Sequence, residues 1–298
     1  MPTADYEALA SQLETTGRYQ VLRRLEPRRQ WHEPDATELK TAVVVDVETT
    51  GLDPDRDAII QFCGIPFTYA TDTGTIYEVG QPLTGFDDPG RPIPALITAL
   101  TGITDADVAG QRLDEAAIGE LLGPAVLVIA HNAGFDRPFI DSRLPGPFRD
   151  KHWACSVEGI PWQRYGFKSR SLEFLLYRRH QMFFEAHSAE ADCQALLHAL
   201  AVPFEDTATP MGLLLEGARR RTVRIWAIGS PIEQKDMLKA RRYRWNGGQD
   251  GRAKAWYCEL PEGEESEAEL AWLRENIYSG REGWKLERVD PRSRYAHG

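Results

Sequence analysis

Two carboxylates stand two residues apart at the end of an apolar run, Ala42-Val43-Val44-Val45-Asp46-Val47-Glu48-Thr49-Thr50-Gly51. A strand repeats every second residue, so Asp46 and Glu48 share one face. The apolar residues before Asp46 predict a central strand covered on both sides, where two like charges need a compensating charge between them. A divalent metal ion is the simplest one. Other polar residues follow buried elements in the same way. The run Ala125-Val126-Leu127-Val128-Ile129-Ala130 ends on His131-Asn132, Asp136 lies in the next turn, and His187 and Asp192 flank the start of another helix. Asp46, Glu48, Asp136, Asp192 and His187 are therefore candidates for one site. Hard oxygen donors favour Mg2+ or Mn2+ over Zn2+, and two ions about 3.5–4 Å apart clamp the attacking and leaving oxygens of a phosphodiester displacement. The histidine then suits a general base that deprotonates water near neutral pH.

Strands and helices in mixed order must position these groups. Residues 58–69 and 75–83 read as second and third strands of a meander around Asp72-Thr73-Gly74, with 94–100 and 113–122 as helices. After the strand at 125–130, residues 135–143, 171–179 and 189–201 read as helices and 152–157 as a strand. Buried strands that deliver polar residues at their carboxyl ends mark where open α/β sheets place their sites. The fold class expected is α/β, with a mixed sheet flanked by helices over residues 41–202.

Residues 1–40 read as an extension, with helices over 4–14 and 19–25 forming a hairpin about Gly17 and a linker from Trp31 through Pro34. Residues 203–222 read as a linker and short helix. A small α+β domain is expected over 223–278, with strands at 223–228 and 254–258 and helices at 233–242 and 264–276. The charged tail 279–298 is expected to be partly disordered.

The stretches Val45-Asp46-Val47-Glu48-Thr49-Thr50-Gly51-Leu52, His131-Asn132-Ala133-Gly134-Phe135-Asp136 and His187-Ser188-Ala189-Glu190-Ala191-Asp192 resemble, in order and spacing, the three motifs of the DEDDh 3′-to-5′ exonucleases of the ribonuclease H-like superfamily. The resemblance covers about 40–202. It implies a ribonuclease H-like sheet, two Mg2+ or Mn2+ ions held by Asp46, Glu48, Asp136 and Asp192, and His187 as the base that activates water. It also implies that Thr49, Thr50, Gly51 and Leu52 hold the 3′-terminal nucleotide, with Leu52 wedged against its base, and that Asn132 and Phe135 line the site. Ser188, where relatives often carry a larger or basic residue, departs from the pattern. The substrate implied is a single-stranded 3′ end, DNA first and RNA as the alternative, with a polymerase or repair assembly as the partner class.

The chain carries a net charge of -10, which argues against general polyanion binding. The charge is unevenly spread: Arg219 to Lys254 holds eleven Lys and Arg against three acidic residues. There Arg241, Arg242, Tyr243, Arg244, Trp245, Lys254 and Trp256 interleave cations with aromatic rings, a pattern suited to tracking phosphates and stacking bases. The competing reading makes the aromatics the core of a very small domain with solvated arginines around it. Four cysteines stand without C-x-x-C spacing, and the start of the chain lacks the basic and apolar segments of a leader, so a reducing, cytoplasmic setting without a membrane is expected. Two other functions compete with the exonuclease: a subunit whose main role is association, and a binder that kept the fold without the chemistry.

Overall fold

A computed structural model describes residues 5–296 except 34, 36, 37, 206, 249 and 250. Its centre is the strand β2 (Leu39–Thr49), in which Ala42 to Val45 are fully buried. With β1 as Arg23–Arg24, the strands that follow are β3 (Ile59–Ala70), β4 (Ile76–Val79), β5 (Leu83–Phe86), β6 (Ala125–Ala130) and β7 (His152–Cys155). They form a sheet in the order β4-β3-β2-β6-β7, with β5 also paired to β3. β3 runs antiparallel to β2, whereas β6 and β7 run parallel, so the sheet is mixed as expected. Parallel neighbours require crossover connections, and helices supply them.

The helices in chain order are α1 (Tyr6–Thr15), α2 (Ala95–Thr101), α3 (Asp105–Val108), α4 (Glu115–Leu122), α5 (Ala133–Arg143), α6 (Pro145–Phe148), α7 (Ser156–Gly159), α8 (Leu172–His180), α9 (Ala189–Ala201) and α10 (Pro210–Arg219). They cover β2 by parity. Ala42 and Val44 face a core that includes Leu175, Leu176, Leu196, Leu200 and Leu214 of α8, α9 and α10. Val43, Val45 and Val47 face a second core that includes Ile118, Leu122, Phe139 and Ile140 of α4 and α5. Asp46 and Glu48 continue the even-numbered face, so period two alone turns them toward the α9 side.

Three expectations within residues 19–157 are corrected. Residues 19–25 are not a helix: β1 pairs in parallel with β8 (Met182–Phe183), and the amides of Arg23 and Leu25 donate to the carbonyls of Gln181 and Phe183 at 2.9 and 2.8 Å. A seven-residue helix barely outlasts its nucleation cost, so the backbone takes its partners from a distant segment. The third strand is split into β4 and β5, with Pro82, which lacks an N–H, in the break. The strand expected over 152–157 ends at Cys155, and α7 begins at Ser156.

The remaining strands β9 (Thr222–Ala227), β10 (Arg244–Asn246), β11 (Ala255–Pro261) and β12 (Trp284–Val289) build a second sheet in the order β10-β11-β9-β12, antiparallel throughout. α11 (Lys235–Ala240) and α12 (Glu264–Asn276) pack on it through Leu238, Leu273 and Ile277. The tail expected to be partly disordered is thus largely structured, since Trp284 to Val289 fill the edge beside β9. Pro34 of the expected linker, Asp250 of the basic segment and His297 and Gly298 of the tail lie outside the described residues. Among the described residues no helix is long and apolar enough to cross a membrane.

Candidate active site

Asp46 and Glu48 leave the end of β2, and Asp192 approaches them from α9 on the same face of the sheet. One oxygen from each of Asp46, Glu48 and Asp192 lies within 4.8 Å of the others. Asp136 comes from α5, on the opposite face, and is buried to 3% exposure. It stands outside that triplet of oxygens, yet its charge acts on Asp46. Asp136 and Asp192 occupy the same place in their helices, the fourth residue, following Asn132 and Ser188 as N-caps. Each carboxylate therefore sits in a first turn, where the helix dipole favours negative charge. β2 is also irregular here: between Glu48 and Thr49 the register on β3 skips Ile60, a bulge that re-aims the strand end.

Burial and mutual repulsion dominate the electrostatics of the acid cluster. Burial raises Asp46 well above the usual carboxylate range, and Asp136, Asp192 and Glu48 push it further. Burial, with the charge of Asp192, raises Glu48 to about 7. Asp136 is raised to about 8 by burial, against backbone hydrogen bonds that favour its ionised form. Asp192 is raised to about 6, again chiefly by burial. Among the described residues no Lys or Arg forms an ion pair with any of the four. Convergent hard oxygens that cannot all ionise unaided fit a divalent cation such as Mg2+ or Mn2+.

His187 stands on the loop before α9, exposed and in the left-handed region at φ 65°. Its main-chain N–H donates to Asp192 Oδ2 at 2.9 Å, and its positive form favours the charge on Asp192. The ring is therefore next to the acid cluster but open to solvent. His131 has a different role. One ring nitrogen lies 2.6 Å from Ser156 Oγ and the other 2.8 Å from the Arg170 carbonyl, and burial pushes its pKa down to about 4. It is a neutral strut between β6, α7 and the segment before α8.

The segment after Glu48 uses its side chains to hold itself. Thr49 Oγ1 donates to the Gly51 carbonyl at 2.6 Å, and Thr50 Oγ1 donates to Asp57 Oδ1 at 3.1 Å. Arg91 Nη2 closes the loop with bonds to Thr50 Oγ1 at 3.0 Å and Asp57 Oδ1 at 3.1 Å. The Asp53 N–H, followed by Thr50 and Arg91, holds the Asp57 carboxyl below its ordinary pKa. A Cβ at Gly51 would lie 2.4 Å from Asp57 Oδ2, so a side chain there would have to displace the Asp57 carboxylate. Thr49 and Thr50 thus spend their hydroxyls within the loop, while Leu52 is 84% exposed. Asn132 is exposed with no side-chain capping bond, and half-buried Phe135 packs on Phe139 at 5.1 Å. Asp57 and Arg91 were missed from sequence. The turn signal Asp53-Pro54-Asp55 was readable, but nothing local marked Arg91 as its partner.

The basic segment divides. Tyr243 and Trp256 are core residues packed with Leu238 and Ile225, which corrects their expected role as nucleic-acid contacts. Arg241 pairs with Glu269 and lies over the Trp272 ring at 4.4 Å. Arg242, Arg244 and Lys254 are exposed, and Trp245 is 54% exposed.

The exonuclease family RNase T matches residues 43–200, just over half of the chain. The chain belongs to this exonuclease family. Within the match lie the three motifs and both faces of the mixed sheet. The PolC-type DNA polymerase III of Listeria monocytogenes is 32% identical over 166 residues, covering 54% of this chain and 11% of that protein. The DNA polymerase III subunit epsilon-like protein of Rhodobacter capsulatus is 38% identical over 109 residues, covering 34% of this chain and 14% of that protein. The chain thus spans about a tenth of the length of these curated relatives. A solved structure of exonuclease I superposes with a TM-score of 0.50 at 19% identity, over 85% of this chain and 63% of that one, a likeness of fold.

Proposed function

We propose that this chain is a 3′-to-5′ exonuclease that removes nucleoside 5′-monophosphates from single-stranded DNA ends, with residues 41–202 as its catalytic unit. The observation that carries the proposal is the convergence of Asp46, Glu48 and Asp192 oxygens within 4.8 Å, beside buried Asp136. Bound among these oxygens, two Mg2+ or Mn2+ ions would let the four acids ionise together and stabilise the charge that develops on the attacked phosphate. His187, solvent-open and tied to Asp192 through its main chain, takes the proton of the attacking water on a ring nitrogen. The backbone of Thr49 to Leu52, fixed by Asp57 and Arg91, holds the terminal nucleotide, and exposed Leu52 packs on its base. Asn132 and Phe135 line the opposite wall. RNA ends are the alternative substrate, since sugar discrimination rests on contacts to one hydroxyl. A second reading, a proofreading component working beside a polymerase, is favoured by the names of the relatives.

The test uses 5′-labelled single-stranded DNA and RNA of one sequence, with Mg2+, Mn2+ or chelator, beside His187→Ala. The expected result is a ladder shortening from the 3′ end, dependent on metal and slowed at least a hundredfold in the variant. Folded protein that leaves both strands intact with either metal would exclude the reading; activity only on addition of a polymerase would favour the second.

A further inference from the structure

The helix α9 carries Asp192, and its first turn is closed from outside the cap position. Ser188 stands at the N-cap, yet its side chain makes no capping bond. Two other side chains take main-chain N–H groups there. Asp192 Oδ2 accepts from His187 at 2.9 Å, and Gln61 Oε1, from β3, accepts from Ala189 at 3.1 Å. The first N–H groups of a helix have no partners within it, so an acceptor on a strand 128 residues away does the work of a cap.

The place of Gln61 in the sheet gives that bond its reach. Gln61 is the register partner of Glu48, the last pair before the bulge, and opposed residues of an antiparallel pair present their side chains on one face. Two residues along β3, Cys63 pairs with Asp46. Cys193, four residues after Ala189, brings its Sγ to 3.8 Å from the Cys63 carbonyl. Four residues of helix and two of strand each advance roughly 6 Å, so α9 runs in step with β3, Ala189 over Gln61 and Cys193 over Cys63. The positions of β3 opposite the two acids of β2 therefore grip the helix that carries the third. Gln61 does so without charge. A carboxylate would accept the same N–H but set a further negative charge beside acids already raised by burial and by one another.

We propose that Gln61 is a positioning residue for the metal centre: its side-chain oxygen fixes the first turn of α9 against β3 and so keeps the Asp192 carboxylate within a cation's reach of Asp46 and Glu48, whose oxygens lie within 4.8 Å of its own. The proposal rests on the metal-binding reading of the acid cluster. It adds to that reading a residue outside the three motifs, one that acts through Asp192.

The test measures Mn2+ binding to the full chain without nucleic acid, by loss of the free-ion electron paramagnetic resonance signal, beside amide hydrogen exchange over the start of α9. Gln61→Met keeps the length of the side chain and removes the acceptor. Gln61→Asn keeps the amide but falls one methylene short, and it carries the same expectation if the first variant does not fold. Either is expected to weaken Mn2+ binding about tenfold, the usual loss when the partner of a metal ligand is removed, and to speed exchange at Ala189. Gln61→Glu restores the acceptor and is expected to bind Mn2+ at least as tightly as the parent. Folded Gln61→Met or Gln61→Asn that binds Mn2+ as the parent does would overturn the assignment, even with a lower melting temperature, because the bond would then be a helix cap alone. Gln61→Glu binding as weakly as Gln61→Met would overturn it too. A parent that binds no Mn2+ would remove the metal reading and this assignment together, whereas equal binding by parent and variants removes the assignment only.

Discussion

Glu48 shows what the acid cluster costs the fold when no cation is present. Its carboxyl titrates at about 7 in the folded protein, raised by burial and then by Asp192, against an ordinary value of 4.5. Between those values the folded state binds more protons than the unfolded chain does. Stability conferred by this group is therefore fully present below about pH 4.5 and lost as pH rises through 7. Glu48→Gln keeps the shape and removes the titration. In chelator at pH 8 the variant is expected to be more stable than the parent, on the order of 1–2 kcal/mol, with the difference vanishing near pH 4. Millimolar Mg2+ is expected to reverse the order at pH 8, because the parent gains a ligand-bound state that the variant binds poorly. Thermal melts at the two pH values, with and without metal, read all four conditions. Equal melting of parent and variant in chelator at pH 8 would contradict the strain assigned to the cluster. His131 behaves with the opposite sign: its folded pKa of about 4 means that stability present above 6.5 is lost as pH falls toward that value.

At the scale of elements, the site is built from the ends of one strand and two helices, and the loop after β2 does the holding. Gly51 has no room for a side chain because Asp57 Oδ2 lies 2.4 Å from where its Cβ would stand. Gly51→Ala must displace the carboxylate that receives Thr50 Oγ1, the Asp53 N–H and Arg91. The cost expected is about 1–3 kcal/mol of stability. A larger effect is expected on catalysis, at least tenfold in kcat/KM, since the backbone at Thr49 to Leu52 moves with the loop. Unaltered steady-state kinetics on a single-stranded substrate would remove this loop from the binding machinery. The same contrast explains what could be read from sequence. Ala42 to Val45 and Leu127 to Ala130 are buried in consecutive residues, and Asp46, Glu48 and Asp136 follow these runs at short offsets, so the mixed sheet was legible, while His187 and Asp192 were picked out only by their place at the start of α9. Arg91, β1 and β12 owe their roles to partners far along the chain. Arg91 meets Asp57 from 34 residues away, and Arg23 pairs with Met182. Tyr243 and Trp256 were ambiguous for a related reason: a cationic stretch with aromatics describes a binding face and a miniature core equally well, and burial separates the two.

At the scale of the whole molecule, the second sheet is fastened to the first by its own tail. Arg137, the residue after Asp136, is buried, and its guanidinium donates to the carbonyls of Arg292 and Arg294 while pairing with Asp141 at 3.0 Å. Arg294, itself only 4% exposed, donates to the carbonyls of Ala218 at 3.1 Å and Arg220 at 2.8 Å. The segment after β12 thus passes between α5, which carries Asp136, and the end of α10, and it satisfies main-chain acceptors on both. Removing the Arg294 side chain leaves those carbonyls without their charged donor at a buried position, a loss of about 3 kcal/mol by the usual worth of such bonds. Its distribution follows from the geometry. With the tail loosened, the unit of β9 to β12 has less to hold it against the exonuclease unit, and the two should no longer melt as one. The parent is expected to show a single calorimetric transition, and Arg294→Ala an earlier one for the smaller unit followed by that of the larger. Arg294→Lys, which keeps a charge but not the fork that reaches two carbonyls, is expected to fall between them. Two transitions in the parent, or one unchanged transition in Arg294→Ala, would mean that the tail is a passive covering, and the join between the units would then need another source of rigidity.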